Sequence, residues 1–264
     1  MGNGWIKAKA AGAAVAALLT ACGCGQVDSA SQLQTAIAAA ENHKWDDAHR
    51  YSARALAANE ENVQAAVLKG ISLHYLGRGS EALETLNTAA EQNPDQFLVQ
   101  LVYGWILSEQ NRCADALVPL ERAHSQRPHH PDVLALLGRC TLEQNVARGV
   151  AYLEALQRFP AFNKRPEIYN ALGIMHLRAG RVDEAMESFL TALDRSPASP
   201  VVMQNVAVVY DQYYRDAAQA LRFYRYAVTA SQAAGDRERA ALIQKRLRDM
   251  ARERSLSGTP AGGR

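Results

Sequence analysis

The chain has 264 residues, 48% of them hydrophobic and 21% charged, with a formal net charge of +2. That is enough apolar chain for one large domain or for a repeat array with a continuous core. The near-neutral balance, with charges interspersed along the chain, gives no reason to expect nucleic acid, which needs a basic stripe. Alanine is abundant, β-branched runs are few and strand-like alternation is nearly absent, so the composition favours an all-helical protein.

In chain order, Lys7 and Lys9 form a short positive region and residues 10–19 a short apolar run. The run is too short to hold a bilayer as a stable span, and reads as a secretory signal peptide. Residues 19–22, Leu-Thr-Ala-Cys, resemble the bacterial lipobox. That resemblance implies that Cys22 is lipidated and becomes the mature N-terminus, with more than one acyl chain and therefore stable anchoring. The alternative is an ordinary signal cleaved nearby, with Cys22 and Cys24 as bystanders. In such lipoproteins an Asp after the cysteine favours retention at the inner membrane, so Gly23 points to the outer membrane and a periplasmic face. Residues 1–21 are set aside as signal, and 22–30, with Gly, Ser and Asp, read as a lipidated tether.

From there a pattern recurs: a small residue in a first helix, two alanines in a second, and a closing proline. The first copy, about 29–62, has Ala36, Ala48 and Ala55 but no proline, as an end repeat can. The second, 63–96, has Gly70, Ala82, Leu86, Ala89 and Pro94. The third, 97–130, has Tyr103, Gly104, Ala116, Leu120, Ala123 and Pro128, with Pro119 as an anomaly inside its second helix. The fourth starts near Pro131, with Leu137, Gly138, Tyr152, Ala155 and Pro160, and is about two residues short between its helices. The fifth, 166–199, is the clearest. It has Tyr169, Leu172, Gly173 and His176 on one helical face, Val182, Ala185, Phe189 and Ala192 on another, Gly180 between them and Pro197 at the end. The sixth starts at Pro200, with Val206, Ala207, Tyr210, Ala220, Tyr224 and Ala227, and holds one extra residue around 213–218.

Gly70, Gly104, Gly138 and Gly173 are 34, 34 and 35 residues apart. A helical hairpin of this length with these small residues resembles the tetratricopeptide repeat (TPR), a unit that cannot bury its apolar face alone and stacks on its neighbours. The expected fold is all-α: an α-solenoid of about six TPR hairpins over 31–234, a C-terminal capping helix over 235–254 and a disordered tail over 255–264. Ala240, Ile243, Leu247 and Met250 form the narrow apolar stripe of that last helix. A docking helix for a partner is the alternative.

The chain contains no nucleophile elbow, P-loop, dinucleotide fingerprint, His-Glu-x-x-His or Cys-x-x-Cys. His129 and His130 are adjacent in a turn, and adjacent residues rarely ligate one metal well. No enzyme activity, cofactor or small-molecule substrate is therefore expected. In a TPR stack the second helix runs antiparallel to the next first helix. This brings Cys113 near Cys140 in a compartment expected to be oxidising, and a disulfide competes with two buried thiols.

In the TPR family the first helix of each hairpin, helix A, lines a concave face where peptides bind. The resemblance maps that face onto His74, Tyr75, Trp105, Glu109, Arg139, Glu143, Asn170, Arg178, Gln204 and Asp211. Trp105 and Tyr75 are alternatively inter-repeat core, and Arg139 and Arg178 alternatively solvated. Substitution of Trp105 together with Arg139 is expected to weaken partner binding and spare stability. The Lys/Asn clamp of carboxylate-binding TPR proteins is absent: Ala30, Leu33, Ile37, Val67 and Ile71 stand nearby. Tyr213 and Tyr214 fall at the inserted turn, where an exposed aromatic pair can mark a contact surface and a packed loop is the alternative.

The resemblance to bacterial TPR lipoproteins implies a membrane-tethered protein–protein scaffold. The expected partner is a component of a pilus or secretion complex at the outer membrane, such as a secretin served by tight-adherence or pilotin-like lipoproteins. A lipoprotein that docks peptidoglycan hydrolases or synthases is the alternative.

Overall fold

The computed structural model describes residues 27–141 and 145–257; Cys22, Cys24 and Glu143 lie outside the described residues, as do the signal and most of the tether. The described residues form thirteen α-helices and no strand. Six hairpins follow one another: α1 (Val27–Glu41) with α2 (Trp45–Ala58), α3 (Val63–Tyr75) with α4 (Gly79–Gln92), α5 (Phe97–Glu109) with α6 (Cys113–Gln126), α7 (Pro131–Cys140) with α8 (Val146–Gln157), α9 (Pro166–Arg178) with α10 (Val182–Arg195), and α11 (Pro200–Val208) with α12 (Ala217–Ala233). A last helix, α13, spans Arg237–Ser257. Helix α1 starts at Val27, inside the stretch expected as tether, and α13 passes the expected end at 254 to reach Ser257. No described helix is long and apolar enough to cross a membrane.

The chain divides into two compact units, one ending at Leu156 and the other starting at Gln157. In the first, successive helices from α1 to α7 pack on one another, and α3 and α5 also touch side by side, as do α5 and α7; Gly138 of α7 faces Leu153 of α8. In the second, α9 packs on α10, α11 on α12 and α12 on α13.

The recurring glycines explain how closely the helices of a hairpin can pair. A Cβ added at Gly70 would sit 2.5 Å from Leu86 Cγ, and one at Gly104 would sit 2.6 Å from Leu120 Cγ. At Gly138 the distance is 2.6 Å to Leu153 Cδ2, and at Gly173 it is 2.5 Å to Phe189 Cε1. Leu86, Leu120, Leu153 and Phe189 are all fully buried. Each hairpin thus seats one large side chain of its second helix against the bare backbone of its first, and the close packing leaves no room for a methyl group.

The turns repeat as well. His43, Gly77, Asn111, Gly180 and Arg215 each follow an A helix with positive φ, between 56° and 76°. At Gly180 the N–H donates to the Leu177 carbonyl while the next N–H, of Arg181, reaches back to His176, so a left-handed residue satisfies carbonyls that would otherwise be orphaned. Pro131, Pro166 and Pro200 open α7, α9 and α11 at a position where the missing N–H costs nothing. Pro119, by contrast, is buried inside α6, which continues from Cys113 to Gln126.

Two hairpins depart from the common length. Gly138 and Leu153 are one residue closer in sequence than the equivalent pairs. In the sixth hairpin the extra residue is absorbed by a π-helical turn, Val209–Tyr213, where the Tyr214 N–H donates to the Val209 carbonyl. Cys113, first in α6, and Cys140, last in α7, are joined by a disulfide with Cα atoms 4.8 Å apart. Its sequence separation of 27 closes a loop of a size that stabilises a fold by about 2–4 kcal/mol.

The substitution Gly173→Ala forces a methyl group into the Phe189 ring, which is rigid and enclosed. It is expected to lower unfolding free energy by about 1–3 kcal/mol in urea titrations, opposite in sign to the gain of about 1 kcal/mol that replacing an unobstructed helix glycine by alanine brings.

Candidate docking face on the A helices

The helix A positions mapped from the sequence fall into two groups, one in each unit. In the first unit, the C-terminal ends of α3 and α5 and the N-terminus of α2 assemble a run of rings. Trp45 and Tyr75 stack with centroids 4.1 Å apart and planes 10° from parallel. His74 meets Trp105 edge-on at 5.1 Å, and Tyr75 lies 6.3 Å from the same indole. His43 flanks Trp45 at 5.8 Å. Beyond Trp105 the run turns ionic: Arg139 donates to Glu109 at 2.8 Å and to the Ser108 carbonyl at 2.7 Å. Gln110, one residue further along, donates to the Gly79 carbonyl at 3.1 Å.

These residues differ sharply in exposure. Trp105 is only 4% exposed, whereas Tyr75 is 43% exposed. Trp45 and His74 are half-buried. Burial pushes the His74 imidazole below its usual value of 6.5, with Glu109 pulling weakly the other way, so at neutral pH it is an uncharged ring. Burial likewise raises the Tyr75 phenol. The surface is therefore an aromatic ledge with one ion pair at its end. Offset and edge-on ring contacts of this kind are worth about 0.5–1.5 kcal/mol each beyond their buried area.

In the second unit the mapped positions are tied to their neighbours. Asn205 donates to Asn170 at 2.7 Å. Gln204 accepts from Arg239 of α13 at 2.9 Å. Asp211 is buried and accepts two bonds from Arg246 of α13, at 2.8 and 2.9 Å, and one from the Tyr224 hydroxyl at 3.2 Å. Burial, reinforced by the Asp211 carboxylate, raises the Tyr224 phenol far above its ordinary value. Helix α13 thus lies beside α11 as a seventh A helix would, and its arginines fill the positions from which α11 could have met a ligand. Arg178 is exposed and has an interaction of its own.

Trp45, His43, Arg239 and Arg246 escaped the sequence mapping, which was confined to the A helices of six hairpins. A signal for the ties was present in the spacing. Tyr75 and Trp105 are 30 residues apart, as are Glu109 and Arg139, which joins the last position of one A helix to the ninth of the next. Asn170 and Asn205, Gln204 and Arg239, and Asp211 and Arg246 are each 35 apart, the same position one hairpin on. The former clamp positions Leu33, Ile37, Val67 and Ile71 are buried apolar core. No group of three or more His, Cys, Asp or Glu among the described residues could hold a metal ion. His130 instead packs on Phe97 at 4.9 Å.

The expectation that Trp105 could be removed without cost to the fold is revised by its burial. Trp105→Ala is expected to cost about 3–5 kcal/mol of stability, whereas Tyr75→Ala costs about 1 kcal/mol. Thermal melts of the two variants side by side check the contrast, and an unchanged melt for Trp105→Ala would place the indole on the surface.

Family models for tetratricopeptide repeats match residues 39–106 and 143–200. No curated protein matches the chain. Among solved structures, the chain is similar to PilW, described as a widely conserved type IV pilus biogenesis factor, with a TM-score of 0.64 at 19% identity over 83% of this chain and 100% of that one. It is similar to YrrB, described as a TPR protein with an unusual peptide-binding site, with a TM-score of 0.61 at 18% identity, covering 74% of this chain and 97% of YrrB. The MamA MSR-1 structure gives a TM-score of 0.56 at 26% identity over 63% of this chain and 94% of its own.

Proposed function

We propose that this chain, an α-helical array carrying tetratricopeptide repeats, is a non-catalytic scaffold that recruits another protein through the aromatic ledge of its first unit. The observation that carries the reading is the stacked Trp45–Tyr75 pair: two large rings preorganised against each other, with Tyr75 43% exposed. Rigid aromatics that are already ordered lose little entropy on binding, and such residues anchor interfaces. An extended or helical peptide laid across α3 and α5 would meet the Tyr75 ring, the edge of His74 and, at the far end, the Glu109–Arg139 pair.

The lipobox-like residues 19–22 support a finer reading, in which Cys22 is acylated and the scaffold works from the periplasmic face of the bacterial outer membrane. Anchoring would raise the effective concentration of partners at that surface without any new contact. The likeness in fold to a pilus biogenesis factor favours a pilus or secretion component, such as a secretin, as the partner. That likeness carries the fold, and the partner rests on the experiment.

Envelope membranes solubilised from cells producing the full chain, and from cells producing Tyr75→Ala, are subjected to affinity capture while Cys22 is followed by labelled palmitate. The expected result is secretin or other pilus subunits recovered with the parent, recovery reduced about tenfold in the variant, and label lost in Cys22→Ala. Recovery of peptidoglycan hydrolases or synthases would overturn the pilus assignment. Undiminished recovery with Tyr75→Ala would remove the ledge, and an unlabelled parent would remove the anchor.

A further inference from the structure

Within the second unit, the outward face of α10 is acidic and incompletely covered. The helix carries Asp183, Glu184, Glu187 and Asp194 against a single arginine, Arg195. Arg195 is occupied: it lies over the Tyr169 ring at 4.2 Å and donates to the Thr191 carbonyl at 3.2 Å. Along this face runs an open groove of about 560 Å³. Its apolar walls are Met186, Leu190 and the Tyr214 ring, with carboxylates at the rim. Leu190 is 46% exposed. Tyr214 is fixed there by donating to Asp183 at 2.7 Å, a bond that pushes its phenol up to about 12. It is placed there by the π-helical turn, which is the local departure from the common hairpin length.

The last helix of the same unit has the opposite character. Over residues 237–253 it carries six basic side chains against three acidic ones. Its inner face is spent: Ile243 and Met250 pack against Ala207, Tyr224 and Ala227, and Arg239 and Arg246 are bound to Gln204 and Asp211. Its outer face presents Leu242, 61% exposed and the most exposed large apolar residue among those described, flanked by Glu238 and Asp249, with exposed Lys245 one turn on and exposed Arg248 a further turn round the helix. Leu242 thus offers an apolar side chain beyond the buried stripe of the helix, open to a contact outside the unit.

We propose that these two faces fit each other between copies of this chain: the outer face of α13 of one copy docks on the α10 groove of a second, with Leu242 entering beside Leu190 and Tyr214 and with Lys245 and Arg248 facing Glu187 and Asp194. The two surfaces are different patches, so the contact closes into a reciprocal dimer or a ring where the rotation permits, and otherwise runs on head-to-tail with one patch of each kind free at the ends. The occupant is a second copy because the complementary charge and the complementary leucine are both carried by this chain. The contact uses neither Tyr75 nor Trp45, so it is independent of the recruitment reading above.

Sedimentation velocity of the full chain over a range of concentrations tests this. The apparent mass is expected to rise with concentration at low salt and to fall back as salt shortens the range of the charges, to about 10 Å at 0.1 M. Lys245→Glu with Arg248→Glu, and separately Glu187→Lys with Asp194→Lys, are each expected to weaken self-association about tenfold or more. Mixing the two variants restores it, since the reversed helix of one then meets the reversed groove of the other. All four positions are exposed, and melting curves of the variants are expected to match the parent. A parent that stays monomeric at every concentration overturns the proposal, as does association indifferent to both reversals or a mixture that fails to recover. Binding of a synthetic basic amphipathic helix by a monomeric parent would likewise assign the groove to a different occupant.

Discussion

The structure depends on a contact made four times: a glycine on the first helix of a hairpin accepts a large side chain from the second. At Gly70, Gly104, Gly138 and Gly173 the helix backbone itself is the floor on which Leu86, Leu120, Leu153 and Phe189 rest. Glycine in a helix interior costs about 1 kcal/mol relative to alanine, so its recurrence there needs a compensating gain, and the buried leucine or phenylalanine supplies one. The close approach sets the spacing within a hairpin. Within each unit a constant spacing, repeated, brings successive A helices together and makes positions 30 or 35 residues apart into neighbours.

That neighbourhood has two outcomes. Between α3 and α5 it yields rings, and between α5 and α7 an ion pair, which together leave an aromatic ledge with one well-exposed member. Among α9, α11 and α13 it yields amide and carboxylate ties that close the face, and α13 ends the second unit by satisfying a buried aspartate with an arginine. A buried carboxylate without that partner would be costly, so the cap is coupled to the chemistry of the helix it covers. The same geometry therefore leaves an exposed ring on the face of one unit and ties the face closed in the other.

Much of this was legible in the residues. The 34-residue recurrence gave six hairpins, their order and the small residues at the close contacts, because a period imposed by stacking leaves its mark at every turn. The short fourth hairpin and the long sixth were visible as changes in that period. What the period could not convey was side-chain direction. Trp105 and Tyr75 both sit on the mapped face, yet one is sealed beneath its neighbours and the other is open, a difference fixed by where adjacent helices end. Trp45 was missed because it opens a second helix, and the arginines of α13 were missed because the mapping stopped at the six hairpins, one repeat short of the 35-residue spacing that ties them to Gln204 and Asp211. The left-handed residues His43, Asn111 and Arg215 were missed because glycine announces that conformation strongly in sequence, Asn and His more weakly and Arg hardly at all.

The most direct test of the central constraint is a double-mutant cycle at the first of the four contacts, with Gly70→Ala, Leu86→Val and the pair together, each measured by equilibrium unfolding. If the glycine exists to admit the leucine, shrinking the leucine makes room for the methyl group, and the double variant loses less than the two single losses combined by about 0.5–3 kcal/mol. Additive losses would mean that the two residues do not share the space, and would contradict the contact on which the spacing of the whole array rests.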